Sequence, residues 1–143
     1  MRQITYSQAI NEAIREEMRR DPTIVLLGQD IGPYGGTFGV YKDIYDEFGE
    51  ERVRDGPLSE AATAGFGIGL GLAGMRAIVE VEFMDFSTLV LDAVVNQAAK
   101  MRYFYGGRLR SRWLSVPLRR RSSAWGPNTL KAWRPGSCTA PVS

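Results

Sequence analysis

The chain contains no histidine and only one cysteine, Cys138, among its 143 residues. Without histidine, the commonest general base is missing. A lone cysteine cannot form a disulfide framework, and no Cys/His cluster is present to hold zinc. No apolar run reaches the roughly 18 residues of a membrane-spanning helix, and the N-terminus resembles neither a secretory nor a transit segment. These absences predict a soluble cytoplasmic protein with no metal site made from its own residues.

Acidic residues are also missing from the C-terminal quarter of the chain. Residues 1–107 hold ten Lys and Arg against sixteen Asp and Glu, a net charge of −6, whereas residues 108–143 hold eight Lys and Arg and no acid, a net charge of +8. All three tryptophans lie in the second segment as well. One cooperative unit rarely combines two such compositions. We therefore predict a domain in residues 1–107 and a separate basic tail in residues 108–143.

Hydrophobic spacing in residues 3–107 predicts helices that alternate with short apolar strands. Thr5 and Gln8 form the pattern of a capping box, and Asp21 followed by Pro22 ends that helix. The remaining predicted elements are a strand at 23–27, a glycine-rich loop at 28–39, a helix at 42–48, a helix at 61–74, a strand at 77–81 and a long helix at 87–103. This order favours an α/β fold with a parallel sheet and helices on both faces.

The segment 51–107 carries the residues that could perform chemistry, and it reads ERVRDGPLSEAATAGFGIGLGLAGMRAIVEVEFMDFSTLVLDAVVNQAAKMRYFYGG. Glu60 lies at the start of the glycine-rich helix, where most acids only stabilise the helix dipole. Its apolar neighbours Leu58 and Ala61 offer no solvating group, so a partly desolvated carboxyl is expected. Phe83 and Phe86 follow the second strand, and composition alone favours a core role for both.

Gly69, Gly71 and Gly74 match the dinucleotide-binding spacing G-x-G-x-x-G. That fingerprint requires a strand immediately before it, and none is predicted there. A dinucleotide site is therefore disfavoured. We expect instead that the small face of this helix lets another helix or subunit approach closely.

Residues 3–107, and above all the strings PLSE, VEFMDF and NQAAKMRYFYGG, resemble the beta subunit of the thiamine-diphosphate-dependent 2-oxoacid dehydrogenases of the pyruvate, branched-chain or acetoin type. The resemblance implies a transketolase-like pyrimidine-binding domain, and an incomplete one, because the family's chains are more than twice as long. It implies oxidative decarboxylation of a 2-oxoacid with thiamine diphosphate, whose Mg²⁺ is held mainly by an alpha subunit. The implied partners are that alpha subunit, a second beta subunit in a heterotetramer, and the lipoyl acyltransferase.

The same resemblance implies roles for individual residues. Glu60 matches the catalytic glutamate that activates the cofactor by sharing a proton with its aminopyrimidine ring. Leu58, Glu82 and Phe86 match positions that line the cofactor pocket. Two positions depart from the family pattern: Glu82 replaces the usual Gln or Met, and Gln29 replaces a Glu of a proton path. The role of that Glu is therefore not carried over to Gln29.

The basic tail shows neither helical nor strand periodicity. Arginines interleaved with tryptophan are typical of nucleic-acid binding. The composition break favours another hypothesis, in which two reading-frame slips, near Gly107 and between Arg121 and Gly126, have replaced the family's own sequence. A shifted frame allows the string GPEHSQSLEAW, whose histidine assists acyl transfer in the family. Without it, we expect the chain by itself to be inactive or unstable.

Two readings of another kind stay open at this point. One is a different thiamine-diphosphate enzyme subunit with a transketolase-like fold, since fold analogy alone does not exclude it. The other is a non-enzymatic interaction protein that binds through its basic tail around Arg119–Arg121.

Overall fold

A computed structural model describes residues 3–108 and, for the backbone only, residues 113–117. In chain order the elements are α1 (Tyr6–Arg20), β1 (Ile24–Gly28), α2 (Ile44–Phe48), β2 (Val53–Asp55), α3 (Glu60–Leu72), β3 (Arg76–Val81), a 3₁₀ turn (Met84–Phe86), α4 (Ser87–Leu91), a π-helical segment (Asp92–Ala98), α5 (Ala99–Phe104) and β4 (Trp113–Pro117). The capping box that starts α1 is present, with Thr5 accepting from the Gln8 amide and donating its own amide to the Gln8 side chain.

The four strands form one parallel sheet in the order β2-β1-β3-β4. β1 lies inside this sheet, where Leu26 is opposite Val53 on one side and Ile78 on the other. All five residues of β1 are buried, as expected for a parallel strand covered on both faces. The predicted α/β class with a parallel sheet is confirmed.

Alternate residues of β1 face two separate parts of the core, because successive side chains of a strand point to opposite faces. Ile24 and Leu26 pack with α1, α2 and the glycine-rich loop, a cluster that includes Met18 and Tyr41. Val25 and Leu27 pack on the other face with Ala77, Val79 and Leu70 of α3. Helices therefore cover both faces, as predicted.

Arg52 joins three elements on the first of these faces. Its guanidinium donates to the carbonyl oxygens of Ile24 at 3.0 Å, Met18 at 2.8 Å and Asp21 at 2.8 Å. The same group lies 5.1 Å from the centre of the Phe48 ring. Arg52 thus ties the end of α1 to the start of β1 through three backbone carbonyls. One of them, that of Met18, lies in the last turn of α1, where carbonyls have no partner within the helix.

α3 lies against the sheet at Gly67. A Cβ placed on Gly67 would lie 2.5 Å from Cγ2 of Val79 on β3, so a side chain larger than hydrogen would push the helix off the strand. Gly65 and Gly69 have no such neighbour within 4 Å and lie on the exposed side of α3. Gly67 therefore allows a close approach between helix and strand, and the approach of another helix or subunit to the exposed glycines of α3 stays a prediction.

Several sequence-based expectations require correction. β2 was not predicted, because three residues are too few to show a period. No strand was expected after residue 107, yet β4 pairs with β3 from Ala77 to Val81, since an open strand edge can pair with a segment of weak intrinsic preference. Beyond Pro117 the predicted features of the tail, including Arg119–Arg121 and Cys138, lie outside the described residues.

Candidate functional site

The candidate site lies at the carboxyl ends of the parallel strands, where α/β sheets bind their ligands. β1 ends at Gly28, β2 at Asp55 and β3 at Val81. The chain segments that leave these strands bring distant parts of the sequence together around a small cavity of about 10 Å³. The cavity is lined by Gly28, Gln29, Pro57, Ser59, Glu60, Thr63, Glu80 and Glu82.

Glu60 reaches this cavity from the first residue of α3, which follows β2 after a turn of four residues. Ser59 occupies the N-cap position in extended conformation and makes no side-chain capping bond. Its carbonyl accepts a hydrogen bond from the Thr63 hydroxyl at 3.0 Å. A half-buried carboxyl at this position is favoured by the positive end of the helix dipole. The structure therefore brings Glu60 to the cavity wall, as the sequence suggested.

Glu82 lines the same cavity from the residue that follows β3. The Thr37 hydroxyl donates a hydrogen bond to its Oε1, which ties the glycine-rich loop to the end of the strand. Next to this bond, Phe38 of the loop packs edge-on against Phe83, with ring centres 5.7 Å apart. The loop is thus held over one side of the site by one polar and one aromatic contact.

The other two predicted pocket residues are not brought into the cavity. Leu58 lies two residues before Glu60 and is 72% exposed. Phe86 is half-buried and contacts Phe83 edge-on at 5.4 Å, while it packs on the apolar cluster between α3 and α4. Their assignment to a cofactor pocket stays a prediction, and each would need a further surface to complete a pocket around it.

Sequence reasoning missed Glu80, a buried acid on β3 that also lines the cavity. It is 5% exposed, and its Oε2 accepts a hydrogen bond from the backbone amide of Gln29 at 3.1 Å. Its Oε1 is buried and has no hydrogen-bond partner. Burial raises the pKa of Glu80 to about 8, partly offset by the Gln29 bond and increased by the negative charges of Glu82, Asp30 and Asp55.

Tyr41 lies beneath the glycine-rich loop and contributes a second buried polar atom without a partner, its Oη. Burial and the nearby charge of Glu80 raise the pKa of this phenol, so it stays a neutral hydroxyl. One sequence signal could have pointed to Glu80, since it is the only charged residue in the run Ala77–Val81. An acid inside a strand buried on both faces requires an explanation.

The described residues set limits on the chemistry. Three carboxyls line the cavity and no basic side chain does. In the part of the chain that the structure describes, no group of three or more acidic, histidine or cysteine side chains could hold a metal ion. No helix among the same residues combines the length and apolar character that crossing a bilayer needs.

The fold and the site together define a class of protein, an α/β domain with a carboxyl-lined site at the ends of its parallel strands. Residues 2–118 match the family described as "Transketolase, pyrimidine binding domain". Since this match covers most of the chain, the protein belongs to that family. It continues eleven residues beyond the boundary that we expected at residue 107 and includes β4.

Curated relatives agree with the family. The chain is 47% identical over 100 residues to the 2-oxoisovalerate dehydrogenase subunit beta of Bacillus subtilis, which covers 70% of this chain and 31% of the relative. It is 43% identical over 111 residues to the pyruvate dehydrogenase E1 component subunit beta of the same organism, covering 78% and 34%. It is 44% identical over 117 residues to the acetoin:2,6-dichlorophenolindophenol oxidoreductase subunit beta of Cupriavidus necator, covering 75% and 34%. The chain thus spans about a third of the length of these relatives.

Proposed function

We propose that the chain supplies the pyrimidine-binding side of a thiamine diphosphate site in the beta subunit of a 2-oxoacid dehydrogenase. The observation that carries this proposal is the position of Glu60 on the cavity wall at the carboxyl ends of the strands, in a chain that matches the pyrimidine-binding family. The similarity to three different dehydrogenase subunits supports the reaction class without selecting one 2-oxoacid.

The residues present fit such a cofactor as one wall of a larger site. A cavity of about 10 Å³ has room for about one water molecule, so an aminopyrimidine ring would cover its mouth. A basic ring nitrogen can pair with a carboxyl through a shared proton, and the Glu60 or Glu82 carboxyl on the cavity wall would supply that partner. With no basic side chain on the cavity wall, and no group of three or more potential metal ligands among the described residues, the diphosphate and its Mg²⁺ would be held by another chain.

Glu60 would act by holding a proton against a nitrogen of the cofactor ring. When bound, thiamine diphosphate supplies an acidic ring carbon that adds to the 2-oxoacid and allows carbon dioxide to leave. The Glu60 carboxyl is half-buried on the cavity wall. A bound ring that covered the mouth of the cavity would shield it further from water, and a hydrogen bond is stronger at low dielectric. The Phe83–Phe86 contact places aromatic surface near the same end of β3, where Phe86 would lie against the ring.

The partners follow from the site being incomplete in one chain. An alpha subunit would supply the diphosphate and Mg²⁺ side, and a second beta subunit would complete a heterotetramer. Leu58, which is 72% exposed and lies two residues before Glu60, offers apolar surface beside the site that such a partner would cover. Acyl transfer to a lipoyl acyltransferase would complete the reaction.

The test is Glu60→Gln in a chain extended to the length of the relatives and paired with an alpha subunit. Glutamine keeps the size of the side chain but cannot share a carboxyl proton, so decarboxylation should fall by about 100- to 10,000-fold, while calorimetry still detects cofactor binding. Glu50→Gln, at an exposed position before β2, is the matched control and should keep full activity. Undiminished turnover by the Glu60 variant would overturn the proposal.

The 143-residue chain itself is expected to show no turnover when it is mixed with an alpha subunit. It matches only about a third of each relative, so the remainder of the site and its partner contacts would be missing. Decarboxylation assays that compare this chain with the extended one measure the difference directly, and equal rates would contradict the expectation.

A further inference from the structure

Three carboxyls line one small cavity, and one of them, Glu80, is buried away from bulk solvent. Glu60, Glu80 and Glu82 all line the cavity of about 10 Å³, and no basic side chain lines it with them. Full ionisation of all three would bring like charges close together at low dielectric, which is unfavourable. At least one of the three should therefore stay neutral.

Glu80 is the carboxyl whose surroundings disfavour charge most. It is 5% exposed, while Glu60 and Glu82 are only half-buried and reach solvent. Each oxygen of Glu80 has a different environment. Oε2 accepts from the Gln29 amide at 3.1 Å, whereas Oε1 is buried with no partner. A buried carboxylate oxygen without a donor is costly, so Oε1 is the oxygen expected to carry a proton.

The backbone of β1 is fitted closely around this carboxyl. A Cβ placed on Gly28 would lie 2.5 Å from Oε2 of Glu80, so the end of β1 approaches the acid as only glycine allows. The next residue, Gln29, donates its amide to the same oxygen. The carboxyl of Glu80 therefore fixes the point at which β1 turns into the glycine-rich loop on the cavity wall.

We propose that Glu80 is a positioning residue of this site: as a neutral acid, it holds the end of β1 through the Gln29 amide and leaves Glu60 as the carboxyl that faces the ligand. The part about the ligand depends on the proposed function, whereas the protonation of Glu80 and its bond to Gln29 do not. Glu80 acts through the backbone at the end of β1, so it needs no contact with the cofactor.

The groups around Glu80 act in the same direction. The charges of Glu82, at the end of its own strand, Asp30, after β1, and Asp55, at the end of β2, all raise the pKa of Glu80. Tyr41 approaches from beneath the loop as a buried, neutral hydroxyl. Burial has the largest effect, and together these influences raise the pKa to about 8.

The experiment is a carboxyl-resolved NMR titration of the full 143-residue chain without cofactor. The Glu80 side-chain carbon should titrate near pH 8, and the Gln29 amide proton should shift with the same midpoint because it donates to that carboxyl. In Glu80→Gln, the Gln29 transition should disappear, because glutamine does not ionise. Glu50→Gln should change none of these.

A second variant tests the positioning role by itself. Glu80→Leu stays uncharged but has no acceptor for the Gln29 amide, so hydrogen exchange at that amide should become about tenfold faster or more. Glu80→Gln should restore the protection, since its side-chain oxygen can accept the bond. A Glu80 midpoint near the ordinary value of 4.5 would overturn the neutral acid. Unchanged Gln29 protection in Glu80→Leu would overturn the positioning role.

These results are separable from the proposed function because no cofactor is present. If Glu80 behaves as stated but Glu60→Gln keeps its activity in the extended chain, the proposed function is wrong and the positioning of β1 stands. If Glu80 titrates as an ordinary surface acid while Glu60→Gln is inactive, only the inference about Glu80 is wrong.

Discussion

Replacing Glu80 by glutamine removes the only carboxyl side chain that is buried among the described residues, and it changes neither length nor branching. The folded chain holds the Glu80 proton up to about pH 8, whereas the unfolded chain releases it near the ordinary value of 4.5. Between these two values the folded state binds one more proton than the unfolded state. The free energy of unfolding must therefore fall as the pH rises through this window, and it levels off above pH 8.

The size of the effect follows from the shift. Each pH unit inside the window corresponds to about 1.4 kcal/mol, so at pH 7 the Glu80 carboxyl should have lowered the free energy of unfolding by about 3 kcal/mol relative to pH 4.5. Glutamine cannot ionise and carries no such dependence. Its buried amide group introduces a cost of about 1–3 kcal/mol if it finds no acceptor, but that cost is the same at every pH.

The slope, and not the absolute stability, therefore tests the reasoning. Urea unfolding of the original chain and of Glu80→Gln should be measured at pH 5, 6, 7 and 8. The free energy of unfolding of the variant should rise relative to that of the original chain by about 1 kcal/mol per pH unit over this range. The pKa of Asp21 is lowered to about 2 by hydrogen bonds from Thr23 and Arg76. Asp21 therefore titrates below this pH range and does not contribute to the slope. A difference that stays constant from pH 5 to pH 8 would refute a neutral, buried Glu80.

Two further predictions concern how the fold that carries the site is held together. Gly67→Ala should destabilise the chain by about 1–3 kcal/mol in urea unfolding, because the new Cβ would lie 2.5 Å from Val79. Gly69 faces open space, so Gly69→Ala should be neutral or stabilising by up to about 1 kcal/mol. Equal effects of the two substitutions would contradict the helix-strand contact. Arg52→Ala should cost about 2–4 kcal/mol, because it removes hydrogen bonds to three carbonyls. Arg54→Ala loses only an exposed ion pair with Glu51 and should cost less than about 1 kcal/mol. A thermal or urea melt that ranks the two arginines in the opposite order would show that the carbonyl contacts contribute little.

Local signals in the sequence were sufficient for most helices and for two strands. The capping box at Thr5 and Gln8 and the apolar run of β1 depend on neighbours within a few residues. Both elements can therefore be predicted from the local sequence. β2 and β4 were missed because each exists through backbone pairing with a strand far away along the chain. Glu60 was found through its motif. Glu80 was passed over because a strand pattern reports which side chains are buried and does not report where a strand ends in space.

By itself, the sequence determined the α/β class, the parallel sheet, the family resemblance and the acid at the start of α3, since all of these depend on residue types at short spacings. Only the tertiary structure decided that Glu60, Glu80 and Glu82 share one cavity with Gln29, and that Leu58 and Phe86 lie outside it. The reason is that parallel strands place their carboxyl ends at one edge of the sheet. Residues more than fifty positions apart in the sequence, such as Gln29 and Glu80, meet there, and their burial and charge depend on that meeting.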